Sequence, residues 1–105
     1  MPTREQLYDE ADKLKDQGKV EEALAKFEEA LALDPDYALA HSALAVVLTR
    51  LKRHDEAIKH ALEVCRIEPK DPFSFTALSV TYQRGGHIPE AEDAMARART
   101  LQQGM

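Results

Sequence analysis

The chain has 105 residues, 44% of them apolar and 31% charged, which suits one small globular domain with a modest core rather than a disordered or fibrous chain. Its longest uncharged run, Tyr37 to Thr49, is interrupted by His41 and Ser42 and falls short of the roughly 18–20 apolar residues that span a bilayer, so no membrane role is expected. A net charge of −5, from 14 basic and 19 acidic side chains, argues against nucleic acid as a partner, because phosphate binding needs clustered Lys and Arg.

The opening MPTREQLYDE is charged where an export signal needs an apolar stretch, which points to a cytoplasmic protein. Cys65 is the only cysteine, so no internal disulfide can form, and its setting in LEVCRI is that of a small core residue. Charge is unevenly spread. Residues 4–37 hold 5 basic and 11 acidic side chains, residues 38–71 hold 6 and 5, and residues 72–105 hold 3 and 3.

The first predicted element opens at Thr3, which with Gln6 fits a capping box, and Leu7, Ala11 and Leu14 then recur on one helical face. Gly18 can take the positive φ that ends such a helix. A second amphipathic helix follows in GKVEEALAKFEEALALDP (Gly18–Pro35), with Ala23, Phe27 and Ala30 on its apolar side. Asp36 stands where a third helix would be capped, and His41, Ala45 and Leu48 repeat the earlier stripe. Lys52 and Arg53 mark a less obvious break before KRHDEAIKHALEVCRIEP (Lys52–Pro69), the fourth helix. Asp71 and Pro72 supply a cap and a first-turn proline for a fifth, whose face is Phe75, Ser79 and Tyr82. The pair Gly85 and Gly86 breaks the chain again before GGHIPEAEDAMARARTLQ, the sixth.

These elements repeat at an offset of 34 residues, which aligns Ala23 with Ala57 and Ala91, Ala30 with Val64 and Ala98, and Pro35 with Pro69. Small residues face each other for a steric reason: Ala11, Ala45 and Ser79 on the first helices oppose Ala23, Ala57 and Ala91 on the second, and larger side chains would push the axes apart. The pattern resembles the tetratricopeptide repeat family, whose unit is a 34-residue helix-turn-helix. Ala23, Phe27, Ala30 and Pro35 match its second-helix signature fully; Ala57, Ala61, Val64 and Pro69 do so mostly, and Ala91, Met95 and Ala98 lack the final proline. The first-helix signature is weaker, with Leu7, His41 and Phe75 where the family often has Trp.

The resemblance implies an all-α fold, a right-handed superhelical α-solenoid of three helix-turn-helix repeats and six helices, covering residues 1–105 as a single domain with repeats at about 4–37, 38–71 and 72–105. It also implies a non-catalytic protein-interaction adaptor whose concave groove, lined by the first helices, takes a peptide or helix of a partner protein. The groove residues placed by the resemblance are Tyr8 and Asp12 in the first repeat; Ser42, Val46, Thr49 and Arg50 in the second; and Phe73, Thr76, Ala77, Val80 and Arg84 in the third. Val46, Val80 and Phe73 would floor an apolar side chain while Arg50 and Arg84 engage a carboxylate. Alternatively, Asp16 pairs with Arg50 across adjacent helices and the valines complete packing between repeats. The Lys and Asn clamp with which some family members grip a C-terminal carboxylate is missing. Tyr8 and Asp12 occupy its places in the first repeat, Val46 in the second, and Phe73 and Ala77 in the third.

Nothing in the sequence spells an active site. The four histidines are not spaced for a zinc pair, Gly85 and Gly86 lack the GK[ST] of a phosphate loop, and no cofactor or metal is expected. His41 should pack on its helix face, with His54, His60 and His87 near turns or in solvent. Leu24 and Ile58 become Glu92 in the last unit, and Leu31 and Cys65 become Arg99, so the final helix is expected to carry its own polar cap. Apolar Met95, Leu101 and Met105 leave open a second function, self-assembly through the terminal helices, as a monomer or weak homodimer.

Overall fold

Thr3 opens the first helix as its sequence suggests. Its hydroxyl accepts the Gln6 amide at 3.1 Å while the Gln6 side chain accepts the Thr3 amide at 2.8 Å, satisfying two donors that a helix start leaves unpaired. The computed structural model describes residues 1–104. Among them lie six helices: α1 (Arg4–Asp16), α2 (Val20–Leu33), α3 (Ala38–Arg50), α4 (His54–Ile67), α5 (Pro72–Arg84) and α6 (Ile88–Gln103). None is long and apolar enough to cross a membrane.

Within each hairpin the turn has one geometry. Gly18, Lys52 and Gly86, which share a column of the repeat, take φ of 80°, 62° and 84°. The amides of these residues bond to the carbonyls of Lys15, Thr49 and Gln83 at 3.0, 3.0 and 3.1 Å. The next residues, Lys19, Arg53 and His87, send their amides back five positions to Leu14, Leu48 and Tyr82, each at 2.9 Å. That pair of bonds is a Schellman closure, so three different sequences end a helix identically. Of the two glycines at 85 and 86 only the second needs positive φ; Gly85 sits at −85°. Gly85 is small for another reason, since a Cβ there would meet His54 Cβ at 3.2 Å.

Between hairpins the links differ. Asp71 caps α5 through the Phe73 amide at 3.0 Å, with Pro72 in the first turn, as expected. Asp36 does not cap α3, whose N-cap is Tyr37 with no side-chain bond. The turn is instead closed from one residue pair earlier: Asp34 accepts the Asp36 amide at 3.1 Å and also pairs with Arg4, whose guanidinium lies 4.3 Å from the centre of the Tyr37 ring. That frees the Asp36 carboxylate to meet Arg66 of α4 at 2.5 Å. The guanidinium, shared between Asp36 and Glu63, is held above its usual pKa by those two hydrogen bonds.

Helix packing follows the small-residue columns. Ala11, Ala23 and Ala57 are fully buried, Ala45, Ser79 and Ala91 nearly so, and the Ser79 hydroxyl donates to the Ala91 carbonyl at 2.7 Å across the α5–α6 crossing. Cys65 is buried as expected; its thiol donates to the Ser74 carbonyl at 3.4 Å, and burial pushes its pKa up to about 11. His41 is buried too, but His60 is not a solvated surface group: it is half-buried with its Nδ1 2.9 Å from Nδ1 of His41. Nε2 of His41 lies 2.8 Å from the Pro35 carbonyl, which only accepts, so Nε2 carries the His41 proton and His60 donates from its own Nδ1.

The two joints between repeats are filled unequally. Where α1–α2 meets α3–α4, Leu24, Phe27, Leu44, Val47 and Leu48 form a core, with Tyr8 and Leu31 packed against it. Tyr8 meets Phe27 edge-on, ring centres 5.5 Å apart. Where α3–α4 meets α5–α6 the core is Ala45, Ala61, Cys65, Leu78 and Ala94, with Phe75 and Tyr82 at its edge and buried Ser74 and Thr81 nearby. On α6, Glu92 and Arg99 are exposed at positions where Leu24, Ile58 and Cys65 are buried, and Met95 and Leu101 are half-buried. Met105 lies outside the described residues.

Candidate functional site

The first helix of each hairpin ends in a turn on the same side of the molecule, so residues near the ends of α3 and α5 come together. Val46, Thr49 and Arg50 from α3, Thr81 and Arg84 from α5, Lys52 from the turn and His54 from the start of α4 line an open cleft of about 650 Å³. Arg50 and Arg84 are the last residues of their helices, where the carbonyl ends of the helix favour a cation. The expected alternative partner of Arg50 does not hold it: among the described residues no carboxylate lies within 4.0 Å of Arg50, Lys52 or Arg84, and Asp16 forms no ion pair. The valines do not complete packing between repeats either, since Val46 is 52% and Val80 43% exposed. Nδ1 of His54 is buried without a hydrogen-bond partner among the described residues.

A second, smaller cavity of about 110 Å³ adjoins the cleft and shares Val46 and Thr81 with it. Exposed Ser42, Val46 and Ala77 form its mouth; buried Ala45, Ala61, Val64, Ser74 and Thr81 form its wall. The Thr81 hydroxyl is already committed to the Ala77 carbonyl at 2.9 Å, which leaves the wall largely carbon.

Of the residues picked from sequence, Val46, Thr49, Arg50 and Arg84 share the cleft, and Ser42, Val46 and Ala77 share the smaller cavity. The others stand apart from both. The Tyr8 ring is packed against Phe27 and Tyr37, and Asp12 pairs with Lys15 at 2.9 Å. Phe73 is 73% exposed and, like Val80 and Thr76, lies outside both walls; the Thr76 hydroxyl bonds to the Pro72 carbonyl at 3.2 Å. Lys52, His54 and Thr81 were not among the expected residues. The signal for Lys52 was present in the sequence, because the 34-residue offset puts it level with Gly18 and Gly86 on the turn. Among the described residues, no group of three or more His, Cys, Asp or Glu side chains is placed to hold a metal ion.

Comparison with known proteins agrees with this architecture. The inactive TPR repeat-containing thioredoxin TTL3 of Arabidopsis thaliana is 38% identical over 77 residues, which is 73% of this chain but only 11% of that protein. The crystal structure of MamA superposes with a TM-score of 0.87 at 22% identity, covering 97% of this chain and 60% of that one. The second TPR domain of Spaghetti (RPAP3), bound to the HSP90 peptide SRMEEVD, superposes with a TM-score of 0.82 at 18% identity, over 94% of this chain and 92% of that one. These structural likenesses concern the fold. The tetratricopeptide repeat model matches residues 8–72, more than half of the sequence, and the chain belongs to the tetratricopeptide repeat family.

Proposed function

We propose that this chain is a non-catalytic protein-interaction module that holds an acidic segment of a partner protein in the groove formed by α3 and α5. The observation that carries the reading is the set of cations on the cleft. Among the described residues, Arg50, Lys52 and Arg84 stand together without acid partners, in a chain whose net charge is −5. Arg4, Lys26, Arg53 and Arg66 each meet a carboxylate elsewhere on the surface, whereas these three share one concavity. Three left unpaired on one concavity suit an anionic ligand, and an arginine fork binds a carboxylate in two places at once. Exposed Phe73 and Val80 extend apolar surface along the same first-helix face. Peptide binding by the RPAP3 domain, which has the same fold, supports this choice.

Self-association through α6 is the competing reading, and the exposed charges Glu92 and Arg99 on that helix weigh against it. A fluorescent peptide rich in Glu, titrated against wild type and the Arg50→Glu, Arg84→Glu double variant, tests the groove. We expect at least a tenfold loss of affinity in the variant and a steep weakening with salt in the wild type. Equal affinity of the two proteins would overturn the assignment.

A further inference from the structure

The smaller cavity has an internal explanation. Shifting the sequence by 34 residues places Ala61 on Phe27 and Ser42 on Tyr8. In the first joint those two rings meet edge-on at 5.5 Å, with Phe27 fully buried and Tyr8 packed against the same core. In the second joint both rings are gone, and Ala61 and Ser42 instead line the 110 Å³ cavity. Ser74 and Thr81, also on its wall, replace Ala40 and Val47 of the first joint without adding bulk. The hole therefore lies where an aromatic pair would sit in a chain whose backbone already accepts one.

Its position decides what can enter. Ser42 and Val46 at the mouth are exposed on α3, and Ala77 is exposed on α5, so the opening faces the groove. A largely carbon-lined void holds water poorly, and an apolar cavity of about 150 Å³ takes up benzene readily. The adjoining cleft, sharing Val46 and Thr81, carries Arg50, Lys52 and Arg84.

We infer that this cavity is a side-chain pocket for the bound segment: it admits one apolar side chain of about phenyl size from a peptide whose flanking carboxylates lie on the arginines. The inference rests on the groove reading above and adds a requirement to it. Charge brings the ligand in, and the ring-sized anchor selects it. The ligand thus supplies to the second joint what Tyr8 and Phe27 supply to the first.

Two labelled heptapeptides serve as probes, Glu-Gly-Glu-Phe-Glu-Gly-Glu and the same peptide with Ala in place of Phe, with affinities read by fluorescence anisotropy on the full chain. On wild type the Phe peptide should bind at least tenfold more tightly, the gain expected from burying one ring. Ala61→Phe, which copies the first repeat, should erase that ratio without lowering the melting temperature. Ser42→Tyr, which fills the hole from its mouth, should erase it too and serves if Ala61→Phe misfolds. Arg84→Glu should weaken both peptides and leave the ratio standing. A ratio near one on wild type, with binding still sensitive to Arg84→Glu, would overturn the pocket and spare the groove. A ratio that survives both filling variants would also overturn the pocket. Failure of both peptides to bind would remove the groove and the pocket together.

Discussion

The joint between the first and second repeats and the joint between the second and third share a backbone plan and differ in what fills it. The first is packed with Leu24, Phe27, Leu44 and Val47; the second has Ile58, Ala61, Leu78 and Thr81 at the same positions. Interiors packed to crystal density gain cohesion from every neighbouring atom, so a joint built on alanines gives up part of that gain. Stacking in this solenoid is set by the helix crossings, where small residues recur in all three repeats, while the side chains between repeats can vary. The stack keeps its form with one joint tight and the other partly open, and the open one borders the cations.

Phe27→Ala should make the first joint resemble the second, and it carries the largest expected effect. Phe27 is fully buried, and its truncation should cost about 3–5 kcal/mol of stability in urea denaturation. A loss below about 1 kcal/mol would mean that the two joints are not distinguished by packing. A smaller change tests the hairpin turns, which share a geometry but not a residue. Lys52 holds φ of 62° where its counterparts are glycines, so Lys52→Gly should raise the thermal midpoint, corresponding to about 1 kcal/mol.

The smallest effect concerns pH and the repeat common to both joints. Burial first, and the charge of neighbouring His41 second, hold the His60 imidazole below its ordinary pKa, while Glu56 and Glu63 pull it upward. A neutral-state preference of this kind contributes fully above the unfolded value of 6.5 and is lost as the pH falls through it toward the lower folded-state value. Stability should therefore decline between pH 7 and pH 5 more in wild type than in His60→Gln, whose amide can still donate to His41; denaturation at several pH values measures the difference. Parallel pH profiles would show that the pair carries no linked proton.

The helices and their pairing were legible because the repeat offset, the opposed alanines and the breaks at Gly18 and Gly86 are all local or periodic signals. Asp36 was misread since capping depends on which of two nearby carboxylates reaches the turn, and Asp34 reaches it first. The His41–His60 pair escaped notice for a related reason: it joins two helices at a separation of 19 residues, outside any helical spacing. In the site, Arg50 and Arg84 were visible as a column, yet whether Asp16 would neutralise Arg50 depended on side-chain reach. The cavity was half legible. Replacement of Phe27 by Ala61 and of Tyr8 by Ser42 can be read from the aligned repeats, but only the packed backbone shows whether neighbours close over the missing volume.

That unfilled volume also sets how the molecule should respond to compression. Hydrostatic pressure favours whichever state occupies less space, and internal voids are the main volume that unfolding eliminates. The seam beside Ala61 should therefore yield to pressure before the seam beside Phe27, parting the third hairpin from the other two while the first two remain mated.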